Sequence, residues 1–194
     1  MSNAPVLTFN DSKPHLPGES SMWFFIVGDL LIFGVYFVVY MYYRGQEPAL
    51  FLQNQQYLSQ EIGVINTVIL LTSSLFVALS TEAARKNNNS EAFKLMGIAL
   101  LFGLIFPCLK IIEWIPKISS GMTPGENLFF MFYYLMTGLH LCHVILGLII
   151  LMFVMREFRP SHQANVTFVE TGSTYWHMVD LLWLVLYALL YLMR

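Results

Sequence analysis

His140 and His143 stand three residues apart in YYLMTGLHLCHVILG, residues 133–147, a stretch otherwise fit for lipid. Imidazoles in such a setting can ligate a metal or haem, carry protons, or hydrogen-bond one helix to another. The i, i+3 spacing places both on one helical face, with Thr137 three residues before His140. Two histidines on one face of one helix suit a haem sandwich poorly, because axial ligands approach from opposite sides. Interhelical hydrogen bonding is the simpler expectation. A second stretch, ETGSTYWHMVDLLWLVLY over residues 170–187, holds Glu170, His177 and Asp180. His177 and Asp180 are again i, i+3, so an imidazole–carboxylate contact along one helix is available.

Asp29 lies in SMWFFIVGDLLIF, residues 21–33. A carboxylate at that depth must be neutral or partnered, either as a structural bond to a neighbouring helix or as a proton carrier. Asp29, His143, His177 and Asp180 are expected at similar depth on three helices, with one another as the obvious partners. Lys110 and Glu113, in KIIEW, fall near the end of an apolar run, where a lysine can snorkel outward beside a carboxylate three residues on. Glu82 and Arg85 are expected to pair at another helix boundary, and Pro107 to kink its helix. Trp176 and Trp183, seven apart, suit packing or interface anchoring better than a cofactor box.

The elements that position these residues follow from composition. The 194 residues are 57% hydrophobic and 11% charged, with a mean hydropathy of +0.61. That balance belongs to a polytopic membrane protein. The formal charge of −2 gives no hint of a nucleic-acid partner. Cys108 and Cys142 lie in apolar runs and read as small buried thiols, and no zinc spacing occurs. Residues 1–21 are polar and lack the pattern of a signal peptide, so they are expected to form a cytoplasmic tail.

Five apolar runs are long enough to span a bilayer as helices, giving an all-α bundle over residues 22–194. They cover approximately Met22–Tyr43, Ile62–Ala84, Phe93–Ile115, Leu128–Met155 and Thr174–Met193, with loops between them. With the N-terminus inside, Lys13, Arg85, Lys86, Lys94, Arg156 and Arg159 are internal, against Arg44, Lys117 and Arg194 outside. The positive-inside rule therefore favours N-in, C-out.

TGLHLCHVILG resembles the T-G-x-H-x-x-H-V-x-x-G span of subunit III of the haem–copper oxidases. ETGSTYWHMVDLLWLVLY resembles the E-x4-Y-W-H-x-V-D-x-x-W signature of the same family. The resemblance covers roughly Pro17 to Met193 and looks like the short bacterial form, which lacks the first two of seven spans. PGESSMWFFIVGDLLIF and the KIIEW-to-HLCH segment look most like the branch associated with nitric oxide reductase. Asp29 stands where many oxidase subunits carry glutamate, and Lys110 where a neutral residue is common.

The resemblance implies a noncatalytic accessory subunit of a respiratory complex in the bacterial inner membrane. It implies that haem and copper reside only in partner subunits, that phospholipid fills a cleft, and that a catalytic haem-bearing subunit is the partner. It makes the histidines polar clips in a helix bundle. Two other classes stay open on residues alone. One is an independent haem b protein using His140 or His143 with His177, and the other a proton or small-solute carrier using Asp29, His177 and Asp180.

Overall fold

A computed structural model describes residues 20–159 and 164–193; residues 1–19 of the expected N-terminal tail and Arg194 lie outside the described residues, while Ser20 and Ser21, expected in the tail, open the first helix. The elements are α1 (Ser20–Gln46), α2 (Pro48–Gln55), α3 (Gln60–Arg85), α4 (Asn89–Ser119), α5 (Leu128–Glu157) and α6 (Val166–Tyr187). A π-helical turn, Ala188–Leu192, continues α6. Five of these segments are long and apolar enough to cross a membrane, and every described element is helical.

The spans exceed the expected boundaries because polar residues continue the helices past the apolar runs. At 1.5 Å per residue, the 31 residues of α4 reach about 46 Å, beyond a hydrocarbon core of about 30 Å. Pro107 and Pro116 both lie inside α4, which continues through them as one helix. The first connection is not a simple loop. Pro48 lacks an N–H and sits at the start of α2, where that donor would have no helical partner.

Asparagines set the other boundaries. Asn87 takes a positive φ of 57° after α3, while the Asn88 N–H bonds the Ala83 carbonyl and the Asn87 N–H bonds the Ala84 carbonyl. This pattern closes a helix C-terminus. Asn88, Asn127 and Asn165 then cap α4, α5 and α6, each accepting a backbone N–H three residues on.

α3 and α4 share the most extensive interface, and α6 packs on α3 and α5. Within its most apolar window α6 has 61% of its residues buried, against 11% for α1, so α6 is the centre and α1 the periphery. Trp176 of α6 fits between α4 and α5 because two glycines leave room. A Cβ on Gly147 would lie 2.8 Å from Trp176 Cε3, and one on Gly103 3.0 Å from its Cη2. Trp176 and Trp183 are thus both packing residues, 1% and 0% exposed.

Cys108 and Cys142 are exposed on the bundle rather than buried within it. An apolar run allows burial but does not choose the helix face, and both thiols fall on outward faces.

Candidate functional site

The singled-out polar residues separate into distinct groups instead of one cluster. Asp29 Oδ2 lies 3.5 Å from His143 Nε2, joining the peripheral α1 to α5. His143 Nδ1 faces the carbonyl of Leu139, one turn back, at 2.8 Å. An N–H at Nδ1 satisfies that carbonyl and leaves Nε2 to the carboxyl group. Phe33 packs edge-on against the His143 ring at 5.4 Å.

His177 turns toward α3. Its Nδ1 is hydrogen-bonded to the Ser74 hydroxyl, and its Nε2 lies 3.3 Å from Ser173. Asp180 is buried and interacts with the same Ser74. His177 and Asp180 therefore meet through a serine of α3, not directly along α6. Glu170 stands in the second turn of α6 rather than before the span, because the helix begins at Val166.

Arg85 binds Glu170, with Nη2 and Nε each 2.8 Å from Oε1. The expected Glu82–Arg85 pair is replaced: Glu82 binds Lys86 at 2.7 Å. That bond holds the Lys86 ammonium above its ordinary range. Sequence spacing allowed either partner, and the approach of α6 to α3 takes Arg85.

His140 is fully buried, yet neither ring nitrogen makes a hydrogen bond among the described residues. It packs edge-on against Phe106 at 5.5 Å and beside Trp183 at 5.3 Å. The expected hydrogen-bonded clip is therefore an aromatic packing contact. Trp183 supplies the nearby polar link through Nε1–H, which donates to Thr67 at 3.0 Å.

Lys110 does not snorkel. It is 0% exposed, and its ammonium donates to Glu113 at 2.8 Å and to the Tyr191 hydroxyl at 2.7 Å. The rings of Tyr133, Trp183 and Tyr191 lie 5.0–5.2 Å from Nζ. Lys117, expected in the outer loop, instead points back to Glu113 at 3.3 Å. Tyr191 is the residue that turns a helix-end pair into a buried network, and its distance of 81 positions from Lys110 hid it from local spacing.

The π turn that positions Tyr191 exposes backbone carbonyls to side chains from other helices. Tyr40 donates to the Leu189 carbonyl at 3.4 Å, Gln55 to Leu190 at 3.0 Å, and Gln60 to Tyr191 at 2.9 Å. Arg44 donates to Met193. A helix C-terminus leaves carbonyls without intrahelical donors, and here α1, α2 and α3 supply them.

These groups join helices; Arg85, Glu170 and His177 line one cavity of about 220 Å³, while Asp29, His140 and Lys110 stand apart from it. Among the described residues no three His, Cys, Asp or Glu side chains gather as a metal site. A haem on His140 would have to displace Phe106 or Trp183, while His143 and His177 turn to different neighbours.

Residues 18–194 match the family described as cytochrome c oxidase subunit III. The cytochrome c oxidase subunit 3 of Synechocystis is 33% identical over 87% of this chain and 72% of its own length. The cytochrome bo(3) ubiquinol oxidase subunit 3 of a Buchnera aphidicola strain is 24% identical over 98% of this chain and 95% of its own. A heme-copper oxidase subunit I+III of Aeropyrum pernix is 26% identical over 90% of this chain and 22% of its own. The chain belongs to the cytochrome c oxidase subunit III family, whose members are noncatalytic subunits of haem–copper oxidase complexes.

Proposed function

We propose that this chain is the accessory third subunit of a respiratory haem–copper complex, held in the bacterial inner membrane with its N-terminus inside. It stabilises the catalytic haem-bearing subunit and binds no haem or copper itself. The family match over residues 18–194 carries this reading. A catalytic subunit I as partner is supported by the Aeropyrum relative, whose name joins subunits I and III. The inward orientation rests on the bias of Lys and Arg toward one rim.

The Asp29–His143 pair gives the proposal a proton-related element. Asp29 Oδ2 and His143 Nε2 meet at 3.5 Å between α1 and α5, inside the membrane-spanning part of both helices. The acceptor of the complex is oxygen or nitric oxide: the similar proteins are named as oxidase subunits, while Asp29 in place of glutamate resembles the branch associated with nitric oxide reductase.

Purification of the tagged chain in mild detergent, with mass spectrometry of co-eluting subunits, tests the partner. A stoichiometric haem-bearing subunit is expected, and its absence under conditions that preserve known membrane complexes counts against the proposal. Oxygen and nitric oxide consumption by the purified complex separates the two acceptors. A Soret band from the chain free of that subunit would favour the haem-binding alternative instead.

A further inference from the structure

A cavity of about 420 Å³ opens at the rim where α4 ends and α5 begins. Leu50, Gln53 and Tyr57 line it from α2 and the turn after it, Met122 and Glu126 from the turn between α4 and α5, and Phe130 from α5. Side-chain bonds hold these walls in place. Asn127 caps α5 and donates through Nδ2 to Asn54 Oδ1 at 3.3 Å, and the Tyr134 hydroxyl donates to the Met122 carbonyl at 2.9 Å. The charge available at this rim differs from a plain count of its residues. Lys117 turns inward to Glu113, and Arg44 donates to the Met193 carbonyl. Glu47, Glu61 and Glu126 are exposed, and none of them forms an ion pair among the described residues. Of the three, Glu126 alone lines the cavity.

We propose that this cavity binds an organic cation, a guanidinium or ammonium group carried by a small molecule or by a side chain of a partner protein, with Glu126 as its counterion. A carboxylate accepts strong, charge-assisted hydrogen bonds from such a group. Tyr57 and Phe130 add aromatic rings, whose faces attract a cation, and the Gln53 carbonyl offers one more acceptor. Leu50 and Met122 suit the carbon stem that carries the charge. An anion would meet Glu126 with no cation among the lining residues to offset it. A bare calcium or magnesium ion needs more oxygen ligands than one carboxylate supplies. Glu47 and Glu61 stand outside the cavity and add an attractive field at the same rim. The site is independent of which way this rim faces and of which catalytic subunit is the partner.

The test uses the full chain in neutral detergent, both with its co-purifying subunits and stripped of them. Saturation-transfer NMR follows titration with N-acetylargininamide and with its citrulline counterpart, which keeps the shape and lacks the charge. The arginine probe should bind saturably, about fivefold or more tighter than citrulline, and should weaken as salt rises. Glu126→Gln should weaken it about tenfold or more. Gln53→Trp fills the cavity while keeping the carboxylate and should have the same effect. Glu61→Gln, at the same rim but outside the cavity, should change affinity less than about twofold. All three positions are exposed, so the variants should melt with the wild type by circular dichroism. Binding by both preparations identifies a free cation as the occupant, and binding only by the stripped chain identifies a partner's side chain already in place; either supports the site. No binding by the stripped chain, equal binding of citrulline, undiminished binding in Glu126→Gln or Gln53→Trp, or an equal loss in Glu61→Gln would overturn the proposal.

Discussion

Replacing Glu113 with glutamine removes the anion that Lys110 and Lys117 share. In the native bundle the carboxylate accepts from Lys110 at 2.8 Å, from Lys117 at 3.3 Å, and from the Tyr191 hydroxyl at 2.9 and 3.1 Å. Glutamine keeps one acceptor oxygen but turns an amide N–H₂ toward the two ammonium groups. Lys110 is enclosed by aromatic rings and cannot reach solvent without breaking the packing of Trp183 and Tyr191. Breaking a buried ion pair from one side costs about 3–5 kcal/mol, because the remaining charge stays uncompensated. Glu113→Gln should therefore shift the unfolding equilibrium at least a hundredfold. Lys110→Met leaves Glu113 with Lys117 and Tyr191, and should cost about 1–3 kcal/mol. In the double variant Lys110→Met, Glu113→Gln the loss should fall well short of the sum of the two singles, since each removes the other's stranded charge. Unfolding of the purified chain in mixed micelles, followed by tryptophan fluorescence, measures all three. Additive losses, or a stable Glu113→Gln, would refute the account of a coupled buried network.

Gly147→Ala places a methyl group against Trp176 Cε3 and should destabilise the bundle by about 1–3 kcal/mol, measurable in the same unfolding assay, with partial recovery when Trp176→Phe is added. Asp29→Asn should leave assembly intact. If the Asp29–His143 pair feeds protons to the partner, turnover of the intact complex should fall increasingly as pH rises; superimposable wild-type and variant profiles would end that role. Cysteines introduced at Lys86 and Ser120, in a background without Cys108 and Cys142, should label from the inside and outside respectively. Ser120 replaces the buried Lys117 as the outer probe, and labelling at 120 from the cytoplasmic side would reverse the topology.

The spans were legible because apolar length is a one-dimensional property, and so was the packing role of Trp176 and Trp183. Partner choice was not, since it depends on how helices distant in sequence rotate against each other. Arg85 illustrates the difference: its own helix offered Glu82, but α6 brought Glu170 closer to its guanidinium. Lys110 was misplaced for the same reason, because a position near a helix end suggests escape until Tyr191 is known to cover it. The single helical face shared by His140 and His143 was correct as geometry. It could not reveal that aromatic rings surround one imidazole while a carboxylate meets the other.

The carbonyls after α6 are received by side chains made much earlier. Tyr40 and Arg44 each precede their acceptor by 149 positions. At about 5–20 residues per second, a ribosome needs roughly 7–30 s to cover that interval. Throughout it, α1 waits in the membrane before its final hydrogen-bond acceptors exist. Its apolar surface can tolerate the wait, but Asp29 and the Arg44 guanidinium must be accommodated by lipid, water or an insertion factor until the fifth span arrives. Quality control can therefore distinguish a finished bundle from a stalled one by a single feature: whether the first helix is still free to leave.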